Sequence, residues 1–348
     1  MSVQAARILV TEQILSLRLG ADGELHRWIG PALRGLAAAR LKEMSCRHPA
    51  RERETRWVHC DGCPHQPVCE YARLFEPLLA TTATAPSVSD GPASEATKGL
   101  PPGVRLSVLE PEEGRRGPGP ATPRDELRMC VLAPYFPLAG RVVGGMQVPV
   151  RVITAGAQSD TEAMALLAAL RATGERGGIG PHRIPFTVEA GPIGNYGFGP
   201  PDLPSAPDQV AGQAPRMALA LLGPLFLKQR QGTRRLPRLQ PTMRDILMAS
   251  IRTVQRMFHV CGIAINVDAD RFEAASRHVG TDVVEWSVFN QDRRSSRTGD
   301  RYAVIGVEGW CVFRAVPWSF LPWLTWGGIL GVGEHRVCGA GRWRLLIE

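Results

Sequence analysis

Residues 174–190, GERGGIGPHRIPFTVEA, join a Gly-rich turn to an extended run. The turn predicts a reversal of the chain, and the run predicts a strand over 184–189. The Ala/Leu-rich stretch 162–170 before it predicts a short helix. Working back toward the N-terminus, residues 6–19 read as a strand, with Leu15, Leu17 and Leu19 alternating. Gly30-Pro31 then opens a helix, because proline at the first helical position gives up only a donor that would have no partner there. Ile29, Leu33, Leu36, Ala37, Leu41 and Met44 recur at three- and four-residue steps and predict its buried face. Two short runs, 104–109 and 127–132, supply strands between the helices. The order is β-α-β-β-α-β, a ferredoxin-like unit.

Beyond the Pro/Gly-rich stretch 191–215 the order repeats. A strand over 217–230 is followed by a helix over 245–258, with Leu247, Ile251, Val254 and Phe258 on one face. Strands over 283–289 and 302–313, a short helix over 318–329 and a last strand over 342–347 complete it. The predicted fold is α+β: two tandem ferredoxin-like (RRM-like) domains, 1–198 and 199–348, with a zinc-binding insert in the first. The insert is the Cys-rich segment 46–69, and the Pro/Gly/Ser/Thr-rich stretch 80–123 reads as linker.

With 348 residues, 44% hydrophobic and 21% charged, the chain has globular composition. No apolar run approaches the roughly 18 residues of a membrane span, and no signal-peptide pattern opens the chain, so a cytoplasmic location is expected. The net charge of +8 is unevenly placed. Residues 1–215 carry 22 Lys+Arg against 22 Asp+Glu, and residues 216–348 carry 19 against 11. All of the excess lies in the C-terminal part, which suggests a polyanion partner, nucleic acid first. Only three of the 41 cations are lysine (Lys42, Lys98 and Lys228), a bias that a GC-rich genome also produces.

Cys46, Cys60, Cys63 and Cys69 fall in the pattern C-x13-C-x2-C-x5-C. Zn²⁺ takes about four tetrahedral S or N ligands, and C-x2-C sets two thiolates on one tight turn. His48, His59 and His65 are spare ligands; the alternative is a degenerate finger with reduced, unligated thiols. With four protein ligands such a site is structural. Two basic stretches follow: 227–238, with Lys228, Arg230, Arg234, Arg235 and Arg238, and 292–301, with Arg293, Arg294, Arg297 and Arg301. Each is suited to tracking phosphates, or is a solvated loop. The glycines of 327–341, Gly331 and Gly333 among them, allow close approach of backbone to phosphate, although no P-loop lysine follows. His26, just before the first helix, and His335, in the Gly-rich loop, are the candidate proton-transfer groups. Arg34 and Lys42, further along that helix, are candidate charge stabilisers.

The segments WIGPALRGLAAARL (28–41) and HCDGCPHQPVCEYARLFEP (59–77) carry a family resemblance. So do GERGGIGPHRIPFTV (174–188), GPLFLKQRQG (223–232) with PTMRDIL (241–247), and GGILGVGEHRVCGAGRWRL (327–345). In this order they resemble the CRISPR repeat-processing endoribonucleases of the RAMP superfamily, in a branch with an N-terminal cysteine cluster. The resemblance implies a V-shaped, two-domain platform with a basic cleft that binds the stem-loop and flanking strand of precursor CRISPR RNA. It implies metal-independent cleavage by 2′-OH attack, leaving a 2′,3′-cyclic phosphate, and association with other subunits of a CRISPR effector complex. Zn²⁺ would be structural only. The terminal loop departs from the family pattern: Gly331, Glu334 and Arg336 stand where the family has His, Lys and Thr, and His335 stands at a glycine position. Glu334 reverses a charge where the family meets RNA, so a non-catalytic RNA-binding subunit is the alternative reading. An unrelated zinc-containing DNA-binding or scaffold protein is a third.

Overall fold

The computed structural model describes residues 7–47, 60, 63–75, 131–134, 140–156, 159–199, 202–205, 215–231, 233–260, 263, 265–294 and 301–347. In the first half, β1 (Ile8–Leu19) leads through the two-residue β2 (Gly23–Glu24) to helix α1 (Gly30–Ser45). Pro31 sits in the first turn of α1, and Leu33, Ala37 and Leu41 are buried along one face, as their spacing predicts; Met44 at its end is exposed. A short helix α2 (Glu70–Phe75) follows. The half continues with β3 (Val131–Pro134), β4 (Arg141–Val142), β5 (Gln147–Ala155), α3 (Ser159–Arg176) and β6 (Phe186–Phe198). The main sheet has the order β3-β5-β1-β6 with every pairing antiparallel, which is the ferredoxin-like order.

The second half repeats this arrangement. It runs β7 (Met217–Leu221), a hairpin β8 (Lys228–Gln231) and β9 (Arg234–Pro237), then α4 (Met243–Val260) and α5 (Ala269–Ser276). It ends with β10 (Gly280–Arg294), β11 (Arg301–Arg314), α6 (Phe320–Leu330) and β12 (Trp343–Ile347). The sheet order β10-β11-β7-β12 is that of the first half. Helix α5, which the sequence reading omits, is capped by Asp268, whose carboxylate accepts from the Arg271 N–H at 3.1 Å.

Two strand expectations are corrected. The run 217–230 is not one strand: β7 stops at Leu221 and β8 begins at Lys228. Gly223 and Pro224 divide them, proline having no N–H for the ladder and the glycine lying against the Gly339 carbonyl. The third strand of the first unit is β5, which the sequence reading missed. Pro149 obscures its alternation, yet in the sheet Pro149 sits opposite Ser16 of β1. The run 127–132 reaches the described residues only as part of β3, and both the run 104–109 and the linker 80–123 lie outside them.

Each sheet covers one face with helices. In the first unit Leu15, Leu17, Leu19, Val148, Val150 and Val152 pack with Leu33 and Ala37 of α1 and Leu166 and Leu170 of α3. In the second, Met217, Leu219, Val307 and Phe313 meet Leu247, Val254 and Phe258 of α4 and Trp323 of α6. The second core does not stop at the unit boundary. Ile8 and Val10 of β1 and Ile153 and Ala155 of β5 are buried in it, so one end of the first sheet's helix-free face docks on the second unit. Next to that contact, Arg151 and Glu12 form an ion pair on the same face. The Glu12 carboxylate raises the Tyr196 hydroxyl above the ordinary tyrosine range, with burial adding to the shift. No helix among the described residues is long and apolar enough to cross a membrane.

Because Ile153 belongs to the shared core, Ile153→Ala is expected to lower the unfolding free energy by about 2–5 kcal/mol. Ile193, half exposed on β6, is the control, and Ile193→Ala should stay within about 0.5 kcal/mol. Urea unfolding of the two variants measures both.

Candidate nucleic-acid interface

Trp28 precedes α1 in the first unit, but its side chain is buried in the second. Its ring lies 5.2 Å from Phe226, 6.2 Å from Phe289 and 5.8 Å from His335. Its Nε1–H donates to the Cys338 carbonyl at 3.0 Å, 310 residues away in the chain. Arg27 beside it reaches Glu308 of β11, Nη1 to Oε1, at 2.7 Å. The two side chains fasten the entry to α1 onto the helix-free face of the second sheet and onto the Gly-rich loop.

This latch brings the two candidate histidines into one neighbourhood. His26 is exposed two residues before Trp28, so its backbone lies within about 7 Å of the latch. His335 is half-buried and packs its ring edge-on against Trp28 and Phe226. Its φ of +58° is in the left-handed region that favours glycine, and glycine is the residue of the resembling family at this place. Arg34 and Lys42 lie elsewhere. The Arg34 guanidinium sits 4.5 Å from the Phe75 ring centre and the Lys42 ammonium 5.0 Å from that of Tyr71, both on the cysteine-bearing side of α1. The structure therefore sets His335 against Trp28, two residues after His26, while Arg34 and Lys42 on α1 face Phe75 and Tyr71 of α2.

The Gly-rich loop is packed more tightly than its composition suggests. A Cβ on Gly331 would meet the Ala340 carbonyl oxygen at 2.7 Å, and one on Gly333 would meet that of Phe226 at 2.3 Å. Both have φ above +70°. These glycines serve contacts within the chain, against the β7–β8 connection, rather than an open cradle for phosphate. Arg336 is likewise buried, at 6% exposure, and does not present its guanidinium on the surface. Glu334 is exposed and binds Lys228 of β8, Oε1 to Nζ, at 2.6 Å.

The basic stretch 227–238 is the β8–β9 hairpin. Arg230, Arg234 and Arg235 are exposed along it. Arg238 is instead a brace: it donates to Asp245 at 2.9 Å and to Gln229 at 2.6 Å, tying the hairpin to the start of α4. Arg293 of β10 lies over the rings of Trp28 and Tyr302, at 5.4 and 5.8 Å. Arg294 ends β10, and Arg297 lies outside the described residues.

Between the latch and the second sheet lies a cavity of about 360 Å³. Arg27 and Trp28 form one side, residues 222–224 and Gly339 another, and Ser287, Glu308 and Trp310 the sheet wall. Trp310, on a central strand, is 42% exposed, and Ser287 Oγ lies 3.4 Å from Glu308 Oε1. Sequence reasoning missed Arg27, Glu308 and Trp310. For Glu308 and Trp310 the signal is the even-numbered phase of β11, opposite to Val307 and Phe313, which can be read only once the helix-covered face is known.

The four cysteines gather at one corner of the first unit. The Cys63 N–H donates to the Cys60 carbonyl at 3.0 Å, the tight turn expected of C-x2-C. Cys46 follows α1 and Cys69 precedes α2, and those helix ends are joined by Ser45 Oγ to Glu70 Oε2 at 3.4 Å. Yet among the described residues no three His, Cys, Asp or Glu side chains form a group able to hold a metal ion. Cys311 in the second core is of another kind: burial alone pushes its thiol up to about 12.

Residues 219–343 match the family of the CRISPR-associated endoribonuclease Cas6, and residues 8–109 match a family described as an N-terminal domain. The matched family is that of the CRISPR repeat-processing endoribonucleases, the one the sequence resemblance pointed to. The chain is similar to it over residues 219–343, and that match does not reach the cysteine cluster. No curated protein matches the chain. Among solved structures, Cas6 from Thermus thermophilus is 12% identical, with 97% of this chain and 99% of that one aligned at a TM-score of 0.44. A Cas6-related protein from Pyrococcus furiosus is 9% identical over 98% and 99%, at 0.42. A partial Cas6-RT-Cas1–Cas2 complex is 9% identical at 0.48; all of this chain aligns with 47% of that longer one.

Trp28→Phe keeps a ring in the cluster but removes the donor to Cys338. Loss of that buried hydrogen bond is expected to lower the unfolding free energy by about 0.5–1.5 kcal/mol. Trp28→Ala should cost more, about 3–5 kcal/mol. Chemical denaturation of both variants provides the check.

Proposed function

We propose that the protein binds precursor CRISPR RNA at its repeats and cleaves it. The observation that carries this reading is a coincidence of place. The unit that matches the Cas6 family also bears the exposed cationic hairpin with Arg230, Arg234 and Arg235, and it receives the Trp28 latch, which packs against His335 and follows His26 by two residues. Phosphates of the RNA lie along the hairpin, where arginines displace condensed counterions. In the cleavage step a histidine takes the proton of a ribose 2′-OH and the oxygen attacks the adjacent phosphorus. The bond from phosphorus to the 5′-oxygen breaks, and a proton delivered to that oxygen leaves a 5′-OH and a 2′,3′-cyclic phosphate. His26, exposed at the entry to α1, is the first candidate for the proton transfer and His335 the second. Arg34 and Lys42, held over Phe75 and Tyr71, support α2 in this scheme rather than the developing charge.

A second reading has its own observation. Glu334 places a carboxylate beside Lys228 at the mouth of the Gly-rich loop and spends that cation in an ion pair. This favours an RNA-binding subunit of a CRISPR effector complex that does not cut.

Incubation with the protein's own repeat RNA in EDTA separates the two. Cleavage predicts products ending in a 2′,3′-cyclic phosphate, and His26→Ala should slow single-turnover cleavage by about 10²–10⁴ with binding kept. Wild-type protein that binds and never cuts establishes the second reading. Replacing Arg230, Arg234 and Arg235 together should weaken binding and flatten its salt dependence, each phosphate contact being worth about 0.7–0.9 in the log–log slope.

We also propose a structural Zn²⁺ on Cys46, Cys60, Cys63 and Cys69, supported by the Cys60–Cys63 turn and by the tie between the helix ends that carry Cys46 and Cys69. Zinc needs its four sulfurs at about 2.3 Å, so binding has to tighten this corner. Elemental analysis should find one zinc per chain, and Cys60→Ser with Cys63→Ser should lower thermal stability. Well under one zinc, or unchanged stability, refutes the site.

A further inference from the structure

The cavity beside the latch is suited to a base rather than to a phosphate. Its wall is Trp310, on the central strand β11 and on the face that no helix covers, with its ring 42% exposed. A solvent-facing aromatic side chain on the open face of such a sheet is the stacking platform that RNA-binding modules of this topology use. The polar groups that converge on the cavity form a donor–acceptor pair: the Arg27 guanidinium and the Glu308 carboxylate, 2.7 Å apart, with Ser287 Oγ beside the carboxylate. Glu308 repels a phosphate. Together the pair matches a planar ring whose edge offers an acceptor next to donors.

Guanine has that edge. Its O6 accepts from a guanidinium, while N1–H and the 2-amino group donate side by side to a carboxylate. Adenine offers the carboxylate one amino donor next to an acceptor nitrogen. Cytosine does the same, and uracil flanks its single N–H with two carbonyl oxygens that face the carboxylate unfavourably. A volume of about 360 Å³ lies in the range of small-ligand sites and holds one nucleoside. The reading edge must be unpaired, so the guanine belongs to a single-stranded or splayed-out part of the RNA.

We infer that this pocket takes one unpaired guanine of the bound RNA, stacked on Trp310 with its Watson–Crick edge read by Glu308 and Arg27. The inference rests on the RNA-binding reading above and names the base that reading leaves open.

The test is fluorescence anisotropy of the full-length protein with labelled ten-nucleotide single-stranded RNAs, all uridine except for one central G, A, C or inosine. The G oligonucleotide should bind about tenfold tighter than the A, C and all-U ones, the size of discrimination a bidentate base contact gives. Inosine, which lacks the 2-amino group, should fall between. Glu308→Gln replaces one acceptor oxygen by a donor and should bring the G oligonucleotide down to the others. Trp310→Ala, at a half-exposed position the fold does not need, should weaken it as well. Equal binding of all the oligonucleotides by the wild type, or a guanine preference that survives Glu308→Gln, overturns the pocket while leaving RNA binding intact. Absence of binding to every RNA at low salt overturns the RNA reading itself. Guanosine monophosphate binding as tightly as the G oligonucleotide makes this a free-nucleotide site and overturns its assignment to RNA.

Discussion

Everything at the candidate site depends on where Trp28 is buried. A tryptophan is too large to be taken out of water by its own unit when that unit offers it no pocket, and here Phe226, Phe289 and the Gly-rich loop of the second unit supply one. The single Nε1–H bond to the Cys338 carbonyl sets the orientation. A buried indole donor without a partner is costly, so the loop 336–340 and the entry to α1 are held in one register. That register places Arg27 against Glu308, brings His335 to the ring of Trp28, and leaves His26 just outside. A second contact, of Ile8, Val10, Ile153 and Ala155 with the neighbouring core, joins the first sheet's helix-free face to the second unit. The cavity itself is walled by the latch and the second sheet.

The glycines take on a different meaning in this setting. Read as composition, six glycines between 327 and 341 suggest a flexible cradle. In the fold they let backbone pack closely within the chain, Gly327 and Gly328 against Trp343 and Gly333 against the β7–β8 connection. Gly333 lies where any side chain would strike the Phe226 carbonyl, and Phe226 is itself part of the Trp28 cluster. The loop is thus part of the latch's support. Its functional side chains are the ones carried outward, Glu334 above all, while Arg336 is turned in.

Local patterns carried most of the fold. The faces of α1 and α4, the hairpin at 228–237 and the turn into β6 follow from residue periodicity and from glycine and proline positions. What escaped depended on partners far away in sequence. β5 was hidden because Pro149 looks fatal to a strand until it is seen paired opposite Ser16 of β1. The break after Leu221 needed Gly339 as a neighbour. The candidate histidines were legible as types; for Arg34 and Lys42, helical spacing says which residues share a face and nothing about what that face meets. It meets Tyr71 and Phe75. Glu308 and Trp310 carried no sequence signal of their own, since an alternating strand looks the same whichever face the helices cover.

The charge asymmetry, finally, locates a polyanion site only after the ion pairs are removed from it. Much of the basic excess of the second unit is engaged internally. Asp282 binds both Arg216 and Arg314, Glu273 binds Arg244 and Arg277, Asp245 binds Arg238, and Glu334 binds Lys228. Arg277 and Arg244 hold the Glu273 carboxyl below its usual range. The arginines that stand out on the surface at 230, 234 and 235 are clustered on a single hairpin. The carboxylates of Glu308 and Glu334 flank the latch, where they disfavour a phosphate. A polyanion approaching this face is therefore drawn toward the hairpin by its backbone, while the pocket walled by Glu308 favours an uncharged part of it, a base, over a phosphate.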